Sequence, residues 1–245
     1  MRTAVRTEVR SSHLRAFRLD GTRVALVPEQ AVLLAGDQVT VSVRVGAGQS
    51  LEVVEPGGTV AYAMRGRAAR WDVRIEIEEG GCLAWRGEPF VVAEGADVCR
   101  SLAVDLAAGA AAVLRETLVL GRAGERPGRL LARTEARREG APVLVEELDS
   151  TLGLGAHRVV DQVLELRGFE TGAARPPQPP EGLARPPQPP EGLARPPQPP
   201  EGLAGPAQPP EVMVLESGDR LHRWLGAATH ESPIGRGQSS SPRLE

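Results

Sequence analysis

The sequence predicts a mainly β fold: an elongated, β-helix-like stack of short strands and hairpins, with one or two short helices near the C-terminus. Three observations carry that prediction. The first is a repeated unit in which a strand-like run ends, a glycine-bearing turn follows and a second apolar run begins. The turns are Gly46-Ala47-Gly48-Gln49, Glu78-Glu79-Gly80-Gly81, Ala107-Ala108-Gly109-Ala110 and Arg138-Glu139-Gly140-Ala141. Aligned on Gly48, Gly80, Gly109 and Gly140, they fall 32, 29 and 31 residues apart, and near-constant spacing of one supersecondary signal marks stacked units. The second is strict alternation. Val39, Val41, Val43 and Val45 share one face and Gln38, Thr40, Ser42 and Arg44 the other; Trp71, Val73, Ile75 and Ile77 repeat the pattern. That is the period of a strand with one wet face. The third is the near absence of helical periodicity before Leu221, Trp224 and Leu225, which follow the cap-like Ser217-Gly218-Asp219.

The elements follow in order. Thr3–Arg10 alternates, Ser11–Ala16 reads as a turn, and Arg23–Val27 reads as a strand limited by Pro28. Ala31–Ala35 is a short apolar run closed by Gly36-Asp37. Leu51–Glu55 and Thr59–Met64 are strands divided by Pro56-Gly57-Gly58, and Cys82–Trp85 and Phe90–Val92 are divided by a break at Pro89. Val98–Leu106 and Ala111–Leu120 flank the third turn. Helix propensity favours the alanines of 106–113, but the run is short and its turn glycine lies inside it, so strand is the reading. Leu130–Arg138, Val143–Leu148 and Val159–Leu166 complete the regular part. The fourth turn is preceded by Arg137 where the others have Val45, Ile77 and Leu106, a break suited to a terminal unit.

The decapeptide Ala-Arg-Pro-Pro-Gln-Pro-Pro-Glu-Gly-Leu occurs at 174–183, 184–193 and 194–203, with a degraded copy at 204–213. Proline locks φ and removes a donor, so this array reads as a disordered, extended insert outside sheet and helix. The organisation is therefore a β-rich core over 1–172, a Pro-rich insert over 173–213, a C-terminal helical segment over 214–235 packing on the core, and a disordered tail over 236–245. On this reading Val159–Leu166 and Val212–Leu215 are neighbours in the fold.

Composition narrows function. About 200 residues remain outside the array, enough for a core, and that core is aliphatic, with three Trp, three Phe and one Tyr. A net charge of −3 opposes non-specific nucleic-acid binding. Two cysteines, Cys82 and Cys99, are too few for a disulfide scaffold and read as small core residues. The chain shows neither a membrane-length apolar run nor an apolar signal region at Met1–Arg6, so the expected compartment is the cytoplasm.

The sequence has no phosphate-binding P-loop, no dinucleotide glycine fingerprint after a strand, no nucleophile elbow and no zinc-protease motif. His13, His157, His222 and His230 are scattered, and Cys82 and Cys99 lie 17 residues apart. No catalytic residue is assigned, and the metal ligands are unknown. The distinctive phrase is Leu120-Gly121-Arg122-Ala123-Gly124-Glu125-Arg126. Two readings of it are open. One is a hairpin turn with solvated charges. The other is a partner-binding loop of Gly121, Arg122, Gly124, Glu125 and Arg126, in which arginine and glutamate make bidentate pairs.

With Leu118-Val119 before it and Gly128-Arg129-Leu130 after it, this phrase resembles the signature region of the urease accessory protein UreD (UreH) family. Four further stretches resemble the family in order: Leu33–Val39, Glu55–Tyr62, Cys82–Phe90, and Arg138-Glu139-Gly140 with Glu146-Glu147. Arg220–Leu225 resembles a C-terminal segment of the family. Ala61 stands where the family pattern carries lysine, and Arg86-Gly87 where it carries Leu-Pro. The resemblance implies a non-enzymatic urease maturation factor, largely β, that binds UreF and through it the GTPase UreG. It implies docking on apo-urease and nickel delivery through an internal channel, with no tightly bound cofactor and only transient nickel. Transit needs release as well as capture, which suits weak oxygen or histidine ligands. Two other classes are weighed against this: a structural β-solenoid presenting the Pro-rich tether to a groove-bearing partner, and a hydrolase with dispersed catalytic residues.

Overall fold

The computed structural model describes residues 7–29, 33–152, 154–167 and 209–234. Sixteen strands follow in chain order among these residues. They are β1 (Glu8–Ser11), β2 (Leu14–Arg18), β3 (Arg23–Pro28), β4 (Gln38–Val45), β5 (Ser50–Val54), β6 (Thr59–Ala61), β7 (Ala69–Ile77) and β8 (Cys82–Arg86). Then come β9 (Phe90–Val92), β10 (Asp97–Leu106), β11 (Ala111–Leu120), β12 (Arg129–Arg138), β13 (Ala141–Asp149), β14 (Val159–Leu166), β15 (Glu211–Val214) and β16 (Arg220–Gly226).

The strands form two sheets. One has the order β1-β4-β7-β10-β12-β13; the other runs β15-β16-β14-β11-β8-β5-β3-β2. In the first, β4, β7, β10 and β12 are parallel; in the second, β3, β5, β8 and β11 are. A parallel neighbour one repeat later in sequence is the mark of a solenoid coil, and the fold is a β-solenoid-like stack. Antiparallel strands close both ends: β1 and β2 at one, β13 and the β14-β16-β15 meander at the other.

The glycine turns explain the spacing read from the sequence. The first three carry the chain from one sheet to the other and stack as a column. Gly48, Gly80 and Gly109 have φ of +62°, +64° and +65°, a region where a side chain is disfavoured. The N–H of Gly48 donates to Glu79 O at 2.9 Å and that of Gly80 to Ala108 O at 3.0 Å, so each turn is satisfied by the next coil. The fourth turn differs: it closes an antiparallel β12–β13 hairpin within one sheet. Arg138 pairs with Leu106 in the ladder. Its buried guanidinium donates to Ala110 O at 2.8 Å, Arg167 O at 2.7 Å and Asp219 Oδ1 at 3.3 Å, capping the apolar column.

The core lies between the sheets. β4 alternates strictly between exposed and buried, and the inward side chains of β4 and β7 are buried. β11 runs unbroken beside β8 and then β9, which are separated by Gly87-Glu88-Pro89. The Pro56-Gly57-Gly58 break similarly separates β5 from β6, and β6 pairs with β9.

The structure corrects four expectations. Leu221, Trp224 and Leu225 lie on strand β16, not in a helical segment, because β14 offers an open edge that pairs with all of Arg220–Gly226; tertiary pairing overrides local periodicity. Among the described residues, the helical element beyond it is one 3-10 turn, Thr229–Glu231. Only Ser12-His13 turns within Ser11–Ala16, since Leu14–Arg18 pairs with β3. Glu211–Met213, at the end of the fourth proline copy, belong to β15, and β16 stands between β15 and β14, so Val212–Leu215 and Val159–Leu166 are one strand apart. The three intact copies and the start of the fourth, through residue 208, lie outside the described residues.

Candidate functional site

The Gly121–Arg126 phrase forms the connection between β11 and β12. Its neck is closed by one carbonyl: Val92 O accepts from Gly121 N at 2.7 Å and Gly128 N at 3.3 Å. Arg158 Nε donates to Leu120 O at 3.0 Å, and Arg158 Nη2 donates to Glu125 O. Gly121 has φ +79°, and a Cβ there would lie 2.3 Å from Arg158 Nη2 and 2.7 Å from Arg126 O. The glycine is thus required by both backbone angle and space. Gly124 has φ +80° and faces open space.

Two carboxylates clasp the loop. Glu125 accepts from Arg122 Nε at 2.7 Å, Arg122 N at 3.0 Å and Glu94 N at 3.1 Å. Glu94, on the previous coil, accepts from Arg126 Nε at 2.7 Å and Arg126 N at 3.3 Å. The sequence places these arginines and glutamates together; the structure shows their bonds directed to one another and to backbone N–H groups. Glu94 carries no motif, and the signal that could have found it is its place one repeat before Glu125. The side chain of Glu125 is 21% exposed, while those of Arg122 and Arg126 are 56% and 87% exposed.

The Arg122 guanidinium, then the Arg122 and Glu94 N–H groups, hold the Glu125 carboxyl down from 4.5 to about 2. A carboxylate depressed in the folded state contributes stability that is full above its unfolded value and lost as pH falls through the folded one. The loop is therefore expected to keep its clasp down to about pH 4.5 and to loosen between there and about pH 2. A carboxylate-resolved NMR titration checks this, and a Glu125 midpoint at or above 4 would contradict the clasp.

A second feature is internal. Glu55, Glu88, Arg100, Glu116, Glu146 and Gln162 line a cavity between the sheets. Arg100 pairs with Glu116 at 2.6 Å and sits 4.8 Å from the centre of the Phe90 ring. Gln162 Nε2 donates to Glu116 Oε2 at 2.9 Å, and Arg223 Nη1 to Glu146 Oε1 at 2.7 Å. Glu55 accepts from Trp85 Nε1 at 2.9 Å and Glu88 N at 3.0 Å, and burial pushes its carboxyl up. Among the described residues no group of three or more His, Cys, Asp or Glu is arranged to hold a metal ion, and no helix is long and apolar enough to cross a membrane. Cys82 and Cys99 are half-buried free thiols, and burial pushes Cys82 up, away from the reactive thiolate.

The profile of the UreD urease accessory protein family matches residues 11–173, the solenoid from before β2 through β14. The chain belongs to the UreD family. Among curated UreD proteins, urease accessory protein UreD 1 of Streptomyces griseus is 48% identical over 169 residues, covering 66% of this chain and 64% of the relative. UreD of Streptomyces coelicolor is 40% identical over 161 residues, 61% of this chain and 63% of the relative. UreD of Streptomyces avermitilis is 38% identical over 167 residues, 63% and 66% respectively. The chain thus spans slightly less than two thirds of the length of these UreD relatives. The signature loop falls inside the UreD match; β15, β16 and the 3-10 turn fall beyond it.

Proposed function

We propose that this chain is a urease maturation factor: a non-enzymatic scaffold that binds UreF, and through it the GTPase UreG, docks on apo-urease and passes nickel towards the urease site. Its membership of a family of urease accessory proteins carries the proposal. The geometry supports it. The clasped loop presents two arginine heads from a rigid β stack, and pre-organised arginine is favoured at protein contacts because little entropy is lost on binding. Nickel is cargo on this reading. Glu55, Glu116 and Glu146 set partly buried oxygen donors along the cavity, and oxygen ligands hold a borderline metal loosely enough to release it.

Arg122→Ala is expected to weaken copurification with UreF about tenfold, the effect of one interface anchor of roughly 1–2 kcal/mol. The melting temperature should stay nearly unchanged, because a solvent-exposed ion pair is screened and contributes little to stability. Coexpression with UreF and the urease subunits measures both. Unchanged complex formation and unchanged urease activation would remove the loop from the contact.

A further inference from the structure

The parallel strands have two ends, and the ends differ in charge. At one, the turns at 46–49, 78–81, 107–110 and 138–141 carry Glu78, Glu79 and Glu139, and their one basic residue, Arg138, points inward. At the other, the corners at 33–37, 62–68, 93–96 and 121–128 carry Arg65, Arg67, Arg122 and Arg126. That second end also holds three carboxylates, but each is engaged by backbone N–H groups of the corners themselves. Asp37 accepts from Leu34 N at 2.7 Å, Glu94 from Arg126 N at 3.3 Å and Glu125 from Arg122 N at 3.0 Å. Arg65 and Arg67 are exposed and make no ion pair among the described residues. Glu94 and Glu125 are thus taken up by the corner backbone and by Arg126 and Arg122, and Arg65 and Arg67 are the exposed guanidinium groups left without a carboxylate among the described residues.

Apolar surface adjoins this charge. Leu33 N donates to Val60 O at 2.9 Å and Tyr62 N to Leu33 O at 3.1 Å. This parallel bridge sets Leu33 beside Ala61 and Leu34 beside Tyr62. Leu33 and Ala61 point into the core, while Leu34 and Tyr62 stand 46% and 41% exposed. Tyr62 lies within electrostatic reach of the Arg122 guanidinium, whose first partner is Glu125.

We propose that this corner face docks an acidic segment of a protein partner, one that places carboxylates on the unpaired Arg65 and Arg67 and an aliphatic side chain between Leu34 and Tyr62. Arginine and tyrosine around a small apolar centre are the composition of an interface anchor, and opposite charge across the contact sets its orientation and its rate. The two strand ends lie about 30 Å apart, the length of a ten-residue strand, so the acidic end stays outside the contact. The inference rests on the scaffold reading, since it names the chemistry of the partner held there.

The test titrates the full chain with purified UreF. Arg65→Glu/Arg67→Glu lies outside the signature loop, and it is expected to raise the dissociation constant about tenfold or more. Tyr62→Ala is expected to raise it about fivefold. Glu78→Lys/Glu79→Lys at the opposite end is expected to leave it within about twofold, and the parent complex should weaken with salt. Thermal melting confirms that each variant is folded. Binding by the parent that ignores Arg65→Glu/Arg67→Glu, or that responds equally at both ends, overturns the basic-end assignment and leaves the scaffold reading standing. Release of UreF by a duplex oligonucleotide competing at the same arginines overturns it in favour of a nucleic-acid surface. No binding of UreF by the parent overturns the scaffold reading itself, and this one with it.

Discussion

Asp161→Ala is expected to destabilise the protein by about 3–5 kcal/mol, the cost of removing one partner from a buried ion pair. Asp161 lies on β14 and is 1% exposed. Its carboxylate accepts from Arg115 Nε at 3.2 Å, Arg115 Nη2 at 2.9 Å, Thr117 Oγ1 at 3.0 Å and Ser232 Oγ at 2.6 Å. Alanine leaves a cavity, a half-buried cation and two hydroxyls without their acceptor. Arg115 keeps 32% exposure and can turn partly to water, which places the expected cost toward the lower end. For a folded core of roughly 200 residues that corresponds to a fall in melting temperature on the order of 10 °C. Ser232→Ala removes one of the donors and should cost only about 1 kcal/mol. That variant tests the hold on the segment after the 3-10 turn separately from the β11–β14 pairing. A denaturant midpoint that barely moves in Asp161→Ala would mean that the Asp161 network contributes no net stability.

Gly128→Ala is expected to cost about 3 kcal/mol, at the upper end of the range for overpacking. Gly128 stands just before β12, where the signature loop returns to the stack. A Cβ there would meet Ala93 O at 2.3 Å, Val92 Cγ1 at 2.8 Å and Val92 O at 3.0 Å. Two of those three atoms are backbone, so no rotamer change relieves the contact. The same Val92 carbonyl closes the neck of the loop through Gly121 and Gly128. Pushing it away should therefore loosen the clasp along with the fold. Gly124→Ala is the informative comparison, because its Cβ would meet open space and its cost is confined to a φ of +80°, about 1 kcal/mol. A loss at Gly128 no larger than that at Gly124 would show that the stack yields to the added Cβ and that close approach does not make the glycine at 128 necessary.

Much of the architecture was legible because its causes are local. Alternation at Val39–Val45 and Trp71–Ile77 declares a strand with one buried face wherever that strand pairs. A glycine at each of Gly48, Gly80 and Gly109 permits the positive φ that lets consecutive turns stack, so their spacing carries the coil length. The signature loop was visible as a cluster of charge and glycine. Its internal clasp was not, because Glu94 approaches Glu125 and Arg126 only once two coils are laid side by side.

By itself, then, the sequence determined that this chain is a column of β coils with a charged, glycine-bearing connection between its third and fourth glycine turns. Tertiary structure alone decided that Arg138 ends the column, that Leu221–Leu225 joins a sheet, that Asp161 anchors Ser232, and that the two ends of the strands carry opposite charge. The reason is physical. Side-chain period and backbone angle are properties of a few neighbouring residues, whereas an open strand edge or a buried ion pair exists only between segments that folding brings together from far apart in the chain.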